Sequence, residues 1–363
     1  MNDFIMQMRP WFGEEEKKAI SDYMDEDGFI TEFHRTQRFE KMIAEYTGAK
    51  HCVVVNNGTV SLMLAAIAAG IKANDEVIVP NYTMVATPNS IKLFGAKPVF
   101  VDVEVETLCL DIDLVRKAIT KKTKAIILVT ANGRYPKSGI DSFEKLCKER
   151  GLVLIEDAAQ SLGSYFPDGR HIGNAGIVGS FSFSAPKIIS TGQGGAVITN
   201  DDEVMMKLRR LKDFGRSEGG NDIHDSIGYN FKFTELQACI GIEQMKKIDF
   251  RIGRKKEIFN LYVENLKNIN GISFFYHDLK YTSPWFIDCI AKNRDQLFNF
   301  LKQNGVGSRP MYPPINNQLA YSVPGEHLVS NYIGKEGLWL PSYSQLENTQ
   351  IEKVCELIKS FYN

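Results

Sequence analysis

The sequence predicts an α/β protein: a large domain with a mostly parallel sheet between helices, followed by a smaller α+β domain. Two observations predict it. Between His51 and Thr199, short runs of consecutive apolar residues alternate with helical patterns. Strands apolar on both faces belong to a parallel sheet that helices cover on each side. Beyond Ile198 the strand-like runs thin out and helical patterns dominate, so the remainder reads as a second, smaller unit. A chain of 363 residues also exceeds what one small core holds. The division expected is 1–245 for the large domain and 246–363 for the small one.

Taken in order, Gly13 to Met24 reads as a helix whose acidic first turn suits the positive end of its dipole. A second helix runs from Arg38 to Tyr46 and stops at Gly48. His51–Val55 is a buried-type strand, Asn56–Thr59 turns it, and Val60–Ala69 is an alanine-rich helix. The unit recurs: strand Glu76–Pro80 before the Thr83–Leu93 segment, strand Pro98–Asp102 before helix Ile112–Ile119. Strand Lys124–Val129 then precedes helix Asp141–Glu149, and strand Leu152–Asp157 follows. After strand Ala196–Thr199 come helix Asp202–Leu211 and a long helical pattern from Thr234 to Leu266, interrupted near Asp249–Gly253. A strand at Trp285–Ile290 and helices at Arg294–Gln303 and Thr349–Phe361 complete the chain.

Lysine plus arginine (43) nearly balances aspartate plus glutamate (44), without a basic block, which argues against nucleic acid as a partner. Six cysteines lie far apart, none in a Cys-x-x-Cys pair, so neither a zinc site nor a disulfide framework is expected. No apolar run is long enough to cross a bilayer, and Met1–Glu16 lacks the pattern of a secretion signal. A cytoplasmic protein with a small-molecule partner is the expectation.

Ligands of open parallel sheets gather at the carboxyl ends of the strands. Four loops there carry suitable chemistry. Asn57-Gly58-Thr59 suits a phosphate held by a helix N-terminus, although taken alone it reads first as a helix cap with a glycine turn. Asp157 ends an apolar strand, where a carboxylate can keep a heterocyclic nitrogen protonated or merely cap a helix; Gln160 follows within reach of the same ring. Ser182 is a phosphate donor or an ordinary strand hydroxyl. Lys187, in a tight loop before Gly192-Gln-Gly-Gly195, is a Schiff-base candidate if burial lowers its pKa, and a surface charge otherwise. The glycine cluster is followed by a strand rather than a helix, so it is not a dinucleotide fingerprint.

Together these motifs resemble the DegT/StrS-type family of pyridoxal-phosphate sugar aminotransferases, of the aspartate-aminotransferase fold (fold type I). The resemblance spans nearly the whole chain. It runs from Asn57-Gly-Thr59 through Asp75–Pro80, Gly95–Asp102, Glu156–Gln160, Phe181-Ser-Phe183, Lys187 and Thr191–Gly195 to Gly228-Tyr-Asn230, Thr234–Gln237, Arg309-Pro310 and Tyr312. It implies pyridoxal 5′-phosphate bound through Lys187, which also shuttles the proton, with Asp157 on the ring nitrogen and Gln160 on the phenolic oxygen. Gly58, Thr59 and Ser182 would hold the phosphate, joined by Asn230 of a neighbouring subunit, which implies a homodimer with shared active sites.

Several positions depart from the family's pattern. Met84 stands where an aromatic ring stacks on the cofactor. Thr130 and Asn132 replace His and Tyr, and Asn316 replaces a His, in loops expected to face the sugar. Arg134, Arg309 and Tyr312 are candidate sugar or nucleotide contacts. The activity implied is transfer of an amino group from L-glutamate to a nucleotide-linked keto-deoxy sugar, with a 4-keto-6-deoxyhexose as leading acceptor and a keto-sugar acid without a nucleotide as the alternative. A sugar dehydratase of the same fold would carry His in place of Lys187, and a non-catalytic regulatory homologue would have no need of the lysine.

Overall fold

The computed structural model describes residues 4–26, 28–217 and 222–363. Helix α1 (Glu14–Asp25) opens on three glutamates, and the Glu16 carboxylate reaches back to accept the Gly13 amide at 2.7 Å. Helix α2 (His34–Thr47) ends where Gly48 turns left-handed at φ 71°. Strand β1 (His51–Val55) then leads into α3 (Gly58–Ala68), whose alanine-rich surface is buried on almost every side.

The alternation expected from the apolar runs continues through β2 (Glu76–Pro80), α4 (Ala86–Lys92), β3 (Lys97–Val101), α5 (Ile112–Ala118), β4 (Thr123–Val129), α6 (Ile140–Arg150) and β5 (Val153–Asp157). With β6 (Val178–Ser182) and β7 (Gly195–Thr199) it forms a seven-stranded sheet in the order β1-β7-β6-β5-β4-β2-β3. Strands β6, β5, β4, β2 and β3 pair in parallel, while β7 is antiparallel to both β6 and β1. Successive residues enter opposite layers of the core: Cys52 and Val54 of β1 join one cluster, Val53 and Val55 the other.

Helices α7 (Asp202–Lys212), α8 (Glu235–Met245) and α9 (Ile248–Leu266) follow. The expected interruption at Asp249–Gly253 falls elsewhere, at Lys246–Lys247; Asp249 sits in the first turn of α9 and Gly253 is exposed mid-helix. A solvent-facing glycine costs an otherwise well-packed helix only about 1 kcal/mol, too little to end it. Helix α9 starts against the large core, at Ile248, and finishes in a second core that holds Ile258, Phe259 and Tyr262.

That second core is built on β8 (Ile272–Phe274), β9 (Ile287–Ala291), α10 (Arg294–Gln303), β11 (Gly337–Leu340) and α12 (Asn348–Tyr362); β10 (Arg309–Pro310) and α11 (Leu328–Glu336) lie beside it, and the antiparallel sheet is ordered β10-β11-β9-β8. Three of its strands have four residues or fewer, too short to leave a pattern in the sequence. Ile5 also lies in this core, its amide bonded to the Gly305 carbonyl at 2.8 Å, so the start of the described chain packs far along the sequence.

Motif residues other than the site candidates act as struts. Glu156 accepts the amides of Gly173, Ala175 and Gly176 at 2.7–2.8 Å. Glu235 accepts those of Phe33, Arg35 and Thr36, holding the start of α2 against α8.

Candidate active site

The carboxyl ends of β1, β2, β4, β5 and β6 converge on a cleft of about 420 Å³, whose lining includes Gly58, Thr59, Met84, Asp157, Gln160, Ser182 and Lys187. Parallel strands emerge here side by side, so loops far apart in sequence meet.

At the cleft, Asp157 ends β5 and is only 6% exposed. Its Oδ2 accepts the Thr87 hydroxyl at 2.7 Å and its Oδ1 the Ala159 amide at 3.2 Å, and Thr87 is itself steadied by Thr83 at 2.9 Å. Burial pushes the Asp157 carboxyl up from its ordinary range, against the pull of these donors and of Lys187. A cationic ring nitrogen placed there would find a fixed acceptor. Gln160 Oε1 accepts the Asn132 amide at 2.6 Å, which fixes its side chain beside the cleft.

One wall is a close contact between a helix start and a strand end. A side chain at Gly58 would put its Cβ 2.7 Å from Ser182 Cβ and 2.9 Å from Ser182 Oγ. The Asn57 side chain caps α3 by accepting the Val60 amide at 2.9 Å. The amides of a helix's first turn have no intrahelical acceptor, so Gly58, Thr59 and the hydroxyls of Ser182 and Ser184 form a cradle fitted to a phosphate. Gly195 lets β7 pass this turn, since a Cβ there would lie 2.5 Å from the Asn57 carbonyl.

Lys187 is half-buried at the opposite wall, with Nζ 4.2 Å from the centre of the Trp285 ring. Burial brings its amine down to about 8, with Asp157 pulling the other way. These residues fit pyridoxal phosphate: an anion cradle, a carboxylate for the ring nitrogen and a weakly basic lysine share one cleft.

The family model for DegT/DnrJ/EryC1/StrS aminotransferases matches residues 10–359. The chain belongs to this family. It is 34% identical to the GDP-perosamine synthase of Escherichia coli O157:H7 over 99% of both chains, and 36% identical to that of Vibrio cholerae over 96% of both. The solved structure of S. venezuelae DesV in complex with a ketimine intermediate superposes with a TM-score of 0.90 at 31% identity, over 96% of this chain and 95% of that one. The fold is therefore that of the pyridoxal-phosphate sugar aminotransferases, and the protein is a pyridoxal-phosphate-dependent sugar transaminase.

Several sequence expectations need correction. Arg134 does not reach the cleft: it is buried, gripping Asp288 through Nη2 at 2.7 Å and Nη1 at 3.1 Å, with Nε on the Thr107 carbonyl. Thr130, Asn132 and Asn316 are buried too, and face protein rather than a sugar. Asn132 exchanges two hydrogen bonds with the Phe286 backbone, at 2.6 and 2.8 Å, and Asn316 is tied to Asn81. An arginine or asparagine at a domain seam looks the same in sequence as one at a ligand.

The remaining candidates lie around the cleft. Met84 is 45% exposed at its mouth. Tyr312 and Arg309 are not among the lining residues and stand one layer out, with the Tyr312 ring edge-on to Trp339 at 4.7 Å and the Arg309 guanidinium 5.5 Å from Trp339. Asn230 is exposed and is likewise absent from its own chain's cleft. Two residues at the site escaped sequence reading. Thr87 sits one turn beyond Thr83, a spacing that was available as a signal. Trp285 had none, for it reads as the start of an apolar strand.

Proposed function

We propose that this transaminase moves an amino group from L-glutamate to the ketone of a GDP-linked 4-keto-6-deoxyhexose, making a nucleotide-linked amino sugar for glycan synthesis. The observation that carries the chemistry is Lys187, an amine brought to about 8 in the same cleft as Asp157. A base of that strength is partly neutral near neutral pH and still accepts a proton. The names of two relatives that align over nearly the whole chain, both GDP-perosamine synthases, support a GDP-linked acceptor.

Bound pyridoxal phosphate supplies an electron-poor ring that takes up the electrons left when a proton departs. The chain does the rest. Gly58, Thr59 and Ser182 would hold the phosphate, Asp157 the ring nitrogen and Gln160 the phenolic oxygen. Lys187 Nζ would take the proton from the donor carbon and deliver it again. A second copy would complete the site by donating Asn230, which makes the working form a homodimer; beside it Ile223, Ile227 and Tyr229 expose apolar surface suited to a subunit contact.

A keto-sugar acid is the alternative acceptor, because Thr130, Asn132 and Asn316 depart from the family's pattern; all three side chains are buried. One experiment separates the acceptors. Cofactor-loaded protein is bleached with L-glutamate, freed of it, and given the GDP-linked keto-sugar, its TDP-linked counterpart or a keto-sugar acid. Fastest return of colour with the GDP-linked sugar, alongside an aminated product by mass, is expected. Return only with another acceptor replaces the sugar assignment, and failure of glutamate to bleach the protein rejects the donor.

A further inference from the structure

Trp285 comes from the C-terminal part of the chain yet touches the reactive lysine. It is 4% exposed. Its Nε1 donates to the carbonyl of Pro186, the residue before Lys187, at 2.7 Å, while its ring lies against Lys187 Nζ. A buried indole N–H needs an acceptor; here the acceptor is the backbone beside Lys187, and the ring face meets that lysine's amine.

The ring is not free to move. It stacks on Phe286 at 3.9 Å and 20°, and meets Trp339 edge-on at 5.9 Å. Its carbonyl accepts Lys255 Nζ at 2.8 Å, and the following amide, of Phe286, is held by Asn132. On the other side of the lysine, Arg251 Nη1 donates to the Ile188 carbonyl at 3.1 Å. Lys187 is therefore bracketed, with Trp285 holding the Pro186–Lys187 peptide and Arg251 the Ile188–Ile189 peptide one residue further on.

We propose that Trp285 is a positioning residue for Lys187: its indole N–H sets the Pro186–Lys187 peptide and its ring face seats the ε-amino group when that group is not joined to the cofactor. This rests on Lys187 being the reactive amine. An amine that must bond, leave and return needs a resting place near the bonding position, or each return becomes a search. The ring's negative face favours the ammonium form, so the seat opposes the burial that weakens the base; the charged groups around it are Asp157 at the cleft and Lys255 and Arg251, which line a small pocket with Lys187.

The test uses Trp285→Leu, which removes ring and donor, and Trp285→Phe, which keeps a ring without the donor. In cofactor-free protein, amine labelling of Lys187 across pH, read by peptide mass, should show the midpoint falling by about one pH unit in W285L and staying near wild type in W285F. With added pyridoxal phosphate, covalent attachment should slow about tenfold in W285L and about threefold in W285F. Cofactor affinity measured in a Lys187→Ala background should be the same with Trp285 or Leu, which separates positioning from a general loss of structure. Wild-type attachment rates in the variants, or an equal loss of affinity in the Lys187→Ala background, overturns the proposal. If W285L fails to fold, the attachment rate of W285F decides alone. Borohydride trapping on Lys187 in the wild type checks the underlying reading separately.

Discussion

Arg134 and Asp288 form a buried two-pronged ion pair, 2.7 and 3.1 Å, that joins the loop after β4 to the β9 strand of the C-terminal sheet. Burial would raise the Asp288 carboxyl, but Arg134 and His277 outweigh it and bring it down to about 2. Replacing Arg134 by Met leaves a buried carboxylate without its partner, which costs about 3–5 kcal/mol. Urea unfolding should show that loss. The ordinary carboxylate pKa lies above the folded value, so this stabilisation is present above pH ~4 and disappears as pH falls toward 2.

His277 lies in the same seam, and its Nε2 accepts Arg134 Nη1 at 2.9 Å, which requires the neutral ring. Burial lowers its pKa to about 4. Between pH 6.5 and 4 the unfolded chain therefore binds a proton that the folded chain does not, so stability is lost as pH drops through that window, by on the order of 3 kcal/mol. In His277→Gln the slope over this range should be flatter than in wild type; an unchanged slope would show that His277 titrates freely.

The contact between Gly58 and Ser182 leaves no room for a methyl group. Gly58→Ala should weaken cofactor binding about ten- to hundredfold, through displacement of Ser182 or of the first turn of α3. Ser182→Ala should lie at the lower end of that range, since it removes one donor without displacing backbone. Equilibrium dialysis with pyridoxal phosphate measures both, and circular dichroism should show an intact fold.

Asp157→Asn keeps the side chain's shape and an acceptor for Thr87 while removing the charge. Turnover should fall about a hundredfold or more, with substrate KM changing far less, because the lost charge acts during the reaction rather than on binding. A KM effect without a kcat effect would assign Asp157 to substrate binding.

The seven-stranded sheet and its helices were legible because each β–α unit announces itself: an apolar run, a turn, an amphipathic or alanine-rich helix. Gly58, Asp157, Ser182 and Lys187 could be singled out for a related reason, since each follows or ends such a run, and the fold brings all four to one cleft. The misplaced residues share a different cause. Arg134, Asn132 and Asn316 belong to loops beside the site, but each side chain turns to a partner more than 100 positions away, and nothing local in sequence records which way it turns. Trp285 was missed for the converse reason, as a core-type residue whose polar edge finds Pro186 only in the folded chain.

The claim beneath all of this is that Lys187 is the amine that holds the cofactor, although Lys255, buried and lowered to about 7, is a second weakly basic amine nearby. Borohydride reduction of the cofactor-loaded protein, followed by peptide mass mapping, separates them. The account predicts reduced cofactor on Lys187 alone, and in Lys187→Ala a loss of trapping together with at least about a thousandfold of turnover. Cofactor fixed on Lys255 or any other lysine, or a Lys187→Ala protein with wild-type turnover, would contradict it.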